Sequence, residues 1–124
     1  MSHRQEMDRI AESHMMSVVR GDMALLDSLL SPDFILTYNV MEGEIGREQA
    51  LEIGAALSAD FSDLRYEGVR RYYTEDGYIQ RHVVAGRKPD GTPFRVPGCF
   101  FATVRDGRLS RLDEYFDSAQ DPRN

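Results

Sequence analysis

Three Asp-Gly pairs, Asp76-Gly77, Asp90-Gly91 and Asp106-Gly107, punctuate the second half of the chain and limit what it can fold into. Asp-Gly accepts the positive-φ geometry of tight hairpins, and the stretches between the pairs are rich in Tyr, Phe, Val, Ile and Thr. This pattern predicts four long antiparallel strands, at about Ser62–Tyr73, Tyr78–Lys88, Pro93–Val104 and Leu109–Asp117. Such a meander needs a partner layer to bury its apolar face, and only the first half of the chain is left to supply it.

That first half reads mainly as helices. Between His3 and Arg20, Met7, Ile10, Ala11, Met15, Val18 and Val19 recur at helical spacing, with Glu6, Asp8, Arg9 and Glu12 on the other side. Gly21 suits the left-handed residue that follows a helix, and Asp22 can cap a second helix at about Met23–Leu30, ended by Ser31-Pro32. Asp33–Val40 predicts a first strand, Met41–Gly46 a loop or short hairpin, and Arg47–Leu57 a third helix packing through Ala50, Leu51, Ile53, Gly54 and Leu57. Helices followed by a run of strands make an α+β protein. Apolar and aromatic residues on both faces of the last two strands predict that the outer face is also covered, by a second copy of the chain.

The 124 residues fit one domain, 1–124, with a short polar tail from about Ala119 that is expected to fray. A net charge of -6 argues against nucleic acid, which requires a basic surface. The charged N-terminal stretch lacks a signal-peptide run, and no segment approaches the ~20 apolar residues of a membrane span. A cytoplasmic protein without membrane contact is expected. Cys99 is the only cysteine, so no internal disulfide forms, and His3, His14 and His82 show no ligand spacing, so neither metal nor cofactor is expected.

The closing strand carries the chemistry. Alternation places Ser110, Leu112, Glu114 and Phe116 on one face and Leu109, Arg111, Asp113, Tyr115 and Asp117 on the other. Glu114 is the only ionisable group on the apolar face, so it must be paired, protonated or turned into a cavity.

The order of elements, together with three motifs, resembles the SnoaL-like branch of the nuclear-transport-factor-2-like superfamily. The motifs are Gly21-Asp22 followed by Leu25, Leu26, Leu29, Leu30 and Pro32-Asp33-Phe34; Gly46-Arg47-Glu48 opening the third helix; and Asp106-Gly107-Arg108-Leu109 leading to Glu114-Tyr115-Phe116-Asp117. The resemblance implies a conical α+β barrel, in which a curved, mostly antiparallel sheet wraps the N-terminal helices around an apolar pocket. It also implies a homodimer through the outer sheet face. The family includes ketosteroid isomerases, polyketide cyclases and limonene epoxide hydrolases, and also binding domains without catalysis, so fold does not decide function.

Residue by residue, the resemblance gives a mixed result. The hydrogen-bonding and base positions of ketosteroid isomerases correspond to His14, Tyr38 and Cys99, which removes the usual carboxylate base. The epoxide-hydrolase pattern retains Arg81 and a carboxylate at Glu114, but its second carboxylate position is Val83. The cyclase pattern keeps Glu114 as acid, while His82 would have to come from a strand whose alternation turns it away from Arg81 and Val83. The resulting expectation is a small, mostly hydrophobic ligand. Glu114 transfers a proton, Arg81 orients it, and Tyr38 and His14 donate hydrogen bonds, in a pocket walled by Met15, Val83, Cys99 and Phe116. Isomerisation, cyclisation, dehydration and hydrolysis all fit that expectation. The competing class is a non-catalytic ligand-binding or dimerisation module in which Arg81 and Glu114 form a structural bridge.

Overall fold

The computed structural model describes all 124 residues. Helix α1 spans His3–Arg20, α2 Met23–Leu29 and α3 Arg47–Asp60. The strands are β1 Leu30–Tyr38, β2 Ile45–Gly46, β3 Ser62–Thr74, β4 Gly77–Arg87, β5 Pro93–Arg105 and β6 Arg108–Phe116. They form one open sheet in the order β2-β1-β6-β5-β4-β3, antiparallel except for the β1–β6 pair. The α+β prediction holds, with an unclosed sheet.

Local chemistry explains the boundaries. Ser2 caps α1 by accepting from the Gln5 backbone N–H while Gln5 returns a bond to the Ser2 backbone. Gly21 ends the helix at φ 66°, and its N–H and that of Asp22 satisfy the last carbonyls. Asp22 then accepts from Leu25 N–H at 3.0 Å to start α2. The strand β1 begins at Leu30, earlier than the expected Asp33, and so includes Pro32. Its ladder with β6 is interrupted between Leu30 and Ile35, where a missing N–H does no harm. At the β5–β6 turn Asp106 and Gly107 both have positive φ, as a tight hairpin requires.

The main core joins Met7, Ile10 and Ala11 of α1 to Leu30, Phe34 and Leu36 of β1, Tyr78 of β4, Phe100 and Ala102 of β5, and Leu109 and Leu112 of β6. A smaller cluster, Phe61, Leu64, Phe94 and Val96, closes the other end of the sheet. Leu109 was expected on the face opposite Leu112, yet both are buried in the core. A register shift between the Thr103–Arg111 and Val104–Leu109 pairs leaves Ser110 as the extra residue of a bulge, which resets the alternation. Further shifts in β3 bend that edge strand, with Asp63 and Gly68 at positive φ. Val19, assigned to the packed side of α1, is exposed. No helix is long and apolar enough to cross a membrane.

Candidate functional site

A cavity of about 130 Å³ lies between the helices and the inner face of the sheet. Its wall is mostly apolar: Val18 of α1, Ile53, Gly54 and Leu57 of α3, Phe34 and Leu36 of β1, and Val96 and Phe100 of β5 are among its lining residues. Gly54 lets α3 pack closely on α2, since a β-carbon at this position would meet Leu26 Cδ2 at 2.9 Å. The polar groups include His14, Tyr38, Tyr66, His82 and Glu114, together with Asp121 and Arg123 from the C-terminal segment.

Glu114 and Tyr38 are brought together by the central parallel pair, in which they are register partners. Asn39 secures that end. Its side-chain amide donates to Phe116 O at 3.0 Å, its carbonyl accepts from Phe116 N–H, and its backbone N–H bonds Glu114 O at 3.1 Å. Burial pushes the Glu114 carboxyl up to about 7, against the opposing pull of the Arg123 charge and the Tyr38 hydroxyl. Desolvation wins because Arg123 is already committed: its Nη2 lies 2.8 Å from Asp121 Oδ2, and the Asp121 charge itself raises Glu114. The Tyr38 phenol is raised, first by burial and then by the Glu114 charge, so it stays protonated and able to donate.

His14 projects from α1 with its ring edge-on to Phe100, the centroids 5.5 Å apart. Its Nδ1 is buried without a hydrogen-bond partner, and burial pushes the imidazole pKa down to about 4. His82 packs between Phe100 and Tyr66, at centroid distances of 4.6 and 5.0 Å, and is likewise held neutral at about 4, by burial first and by nearby His14 second. Near neutral pH the cavity therefore presents two uncharged imidazoles, protonated phenols and a carboxyl group close to half-titrated.

The expected constellation is only partly assembled. Glu114, Tyr38, His14 and Phe116 line the cavity. Arg81, Val83, Cys99 and Met15 do not. Arg81 is exposed on the outer face of β4, in one lateral row with Cys99 and Tyr115, so the Arg81–Glu114 pair does not exist. Val83 shares that outer face through strict alternation with inward Tyr78, Gln80, His82 and Val84. Met15 is half-buried behind the cavity, its sulfur 3.5 Å from Gln80 Nε2. His82 was assigned to the outer face and instead faces inward.

Sequence reasoning missed Tyr66, Asp121 and Arg123, and turned His82 the wrong way. For Tyr66 the alternation with Leu64 was the available signal; for His82 there was none, because the apolar residues Ile79 and Val83 favour the opposite phase of β4. The tail gave none: read as fraying, it forms a 3-10 turn at Ser118–Gln120 capped by Asp117, and Asn124 Nδ2 bonds back to Ser118 O at 2.6 Å. No group of three or more His, Cys, Asp or Glu residues is arranged to hold a metal ion.

Solved structures share this architecture. A candidate isomerase from Bacillus subtilis superposes with a TM-score of 0.82 at 16% identity, over 96% of this chain and 91% of that one. A candidate polyketide cyclase from Xanthomonas campestris pv. campestris gives 0.81 at 22% identity, over 96% and 98%. A Catenulispora acidiphila protein with a ketosteroid isomerase-like fold, solved with trimethylamine, gives 0.78 at 18% identity, over 90% and 87%. At such identities these likenesses establish the fold and not the chemistry. No curated protein sequence matches the chain. The model of the SnoaL-like domain, however, matches residues 11–112, from α1 to β6, and the chain belongs to that family.

Proposed function

We propose that the cavity binds a small, mostly hydrophobic carbonyl compound and that Glu114 moves a proton on it without a cofactor. The observation that carries this reading is the Glu114 carboxyl, desolvated among apolar side chains beside Tyr38 and shifted to about 7, where it both takes and returns a proton. A cavity of about 130 Å³ suits the apolar part of a single-ring molecule, since a cavity of ~150 Å³ accepts benzene. In the step envisaged, the Glu114 carboxylate removes a proton from a carbon next to the carbonyl, the C–H electron pair becomes a carbon–carbon π bond, and the carbonyl π pair moves to the oxygen, which a neutral donor holds. Return of the proton at another atom completes an isomerisation. Attack of the new carbon nucleophile on a second carbonyl, with the proton held by Glu114 passed to the resulting alkoxide, completes a cyclisation. The epoxide-hydrolase arrangement read from the sequence is not assembled, because Arg81 and Val83 both lie on the outer face.

The test combines binding with exchange. Cyclic ketones, enones and phenols are screened by thermal shift against the wild type and Glu114→Gln, bound ligands raising the midpoint according to concentration over Kd. Ketones that bind are then followed by NMR in D2O for loss of the protons next to the carbonyl. Wild type is expected to catalyse exchange, and Glu114→Gln to bind but exchange roughly 10²–10⁴-fold more slowly. Binding with equal exchange in both proteins would leave a non-catalytic ligand-binding module. Absence of binding across the screen would remove the reading altogether.

We further propose that the chain dimerises through its outer sheet face. Tyr72, Phe101 and Tyr115 are 51%, 44% and 53% exposed there, and the Phe101 and Tyr115 rings pack at 5.9 Å. Tyr115→Glu is expected to convert a dimer to a monomer in sedimentation equilibrium; a monomeric wild type would refute the assembly.

A further inference from the structure

Gln80 is the least expected residue of the interior: a side-chain amide in β4 that is 1% exposed, one alternation step from His82. Both ends of the amide are engaged. Its Oε1 accepts from Arg71 Nε at 3.0 Å and from Arg71 Nη2 at 2.9 Å. Its Nε2 lies 3.2 Å from His82 Nδ1 and 3.5 Å from Met15 Sδ. Arg71 is fixed in turn, because its Nη1 donates to Asp8 Oδ1 at 2.7 Å and the Tyr73 hydroxyl donates to the same oxygen.

The direction of every bond in this chain follows from donor chemistry. A guanidinium has only donors, so the amide oxygen must face Arg71. The amide NH2 must then face His82, and an NH2 only donates, so His82 Nδ1 has to be the acceptor. The ring proton sits on Nε2, on the far side of the imidazole. A proton on Nδ1 would set N–H against N–H in a buried site. Phe100 and Tyr66 restrain the ring plane from either side.

We propose that Gln80, aligned by Arg71 and Asp8, is a positioning residue that presets His82 as a neutral Nε2–H donor toward the occupant of the cavity. The ligand atom that meets His82 is then an acceptor, a carbonyl or enolate oxygen rather than an ammonium or hydroxyl proton. This role rests on the proton-transfer reading above; the tautomer does not. The ionisable groups around the ring are His14 from α1, Tyr66 from β3, Glu114 from β6 across Phe100, and Arg71 with Asp8 behind Gln80.

The test reads the tautomer directly, in 15N-labelled protein without ligand, by long-range 15N–1H correlation of the imidazoles. The His82 signals are assigned through contacts to Phe100 and Tyr66. Wild type is expected to show a protonated Nε2 and a bare Nδ1, unchanged between pH 6 and 8. Gln80→Glu offers Nδ1 a carboxylate in place of an NH2 and is expected to bring a proton onto Nδ1, a change that a purely structural role would not produce. A wild-type His82 protonated on Nδ1, or titrating within that range, overturns the proposal even if the variant does not fold. So does a folded Gln80→Glu whose His82 keeps the wild-type pattern. Failure of every ketone to bind strikes the Glu114 chemistry and leaves these spectra as they are.

Discussion

Glu114 and the two inner histidines pull stability in opposite directions with pH. The Glu114 carboxyl has a folded pKa above its unfolded value, so its contribution is fully present below about 4.5 and is lost as pH rises through about 7. His14 and His82 are depressed to about 4, so their contribution is present above about 6.5 and is lost as pH falls through 4. Glu114→Gln removes the first effect alone. Relative to wild type, its unfolding free energy is expected to rise by roughly 3 kcal/mol between pH 4.5 and 8, as read from urea titrations at the two values. A pH-independent difference would mean that Glu114 is solvated. The direction of Glu114 was legible in the sequence because Leu112 and Phe116 flank it in phase. That of His82 was not. The inner residues Gln80 and His82 are polar, while the outer residues Ile79 and Val83 are apolar, so hydrophobic alternation along β4 points to the wrong face. Only the pairing of Gln80 with Arg71, nine positions away, makes the polar interior tolerable.

Among the elements, the helices and the three hairpins were readable because their signals are local: the apolar periodicity of His3–Arg20, a left-handed Gly21, an Asp22 cap and the Asp106-Gly107 turn. The bulge at Ser110 and the β1–β6 pairing were not, since neither leaves a mark within one window of sequence. The C-terminal turn brings two charged side chains, Asp121 and Arg123, to the cavity wall. Asp117 caps it, Asp121 is held by it, and Arg123 reaches from it over the Phe116 ring at 5.9 Å and into the cavity wall. Arg123 lowers the Glu114 pKa while Asp121 raises it. Arg123→Gln is therefore expected to move the Glu114 titration above that of the wild type, followed by NMR of the labelled carboxyl carbon. A titration unmoved or shifted downward would mean that the turn does not govern the site.

At the scale of the molecule, the sheet joins two kinds of pairing. The strands from Ser62 to Phe116 meet their neighbours through successive tight turns, whereas β1 meets β6 across most of the chain, as in the Thr37–Asp113 hydrogen bond spanning 76 residues. Closing a loop of that length carries an entropic cost that a hairpin avoids, which predicts that it forms late on the folding path. Leu36→Ala in β1 is accordingly expected to speed unfolding while barely changing the refolding rate, and Val96→Ala in β5 to slow refolding, in stopped-flow chevrons. The reverse pattern would put the long closure in the nucleus. Because Tyr38 and Glu114 sit on the two strands so joined, late closure would make their end of the cavity the last part to form: a chain that has zipped only its hairpins would have most of its sheet and no assembled pocket.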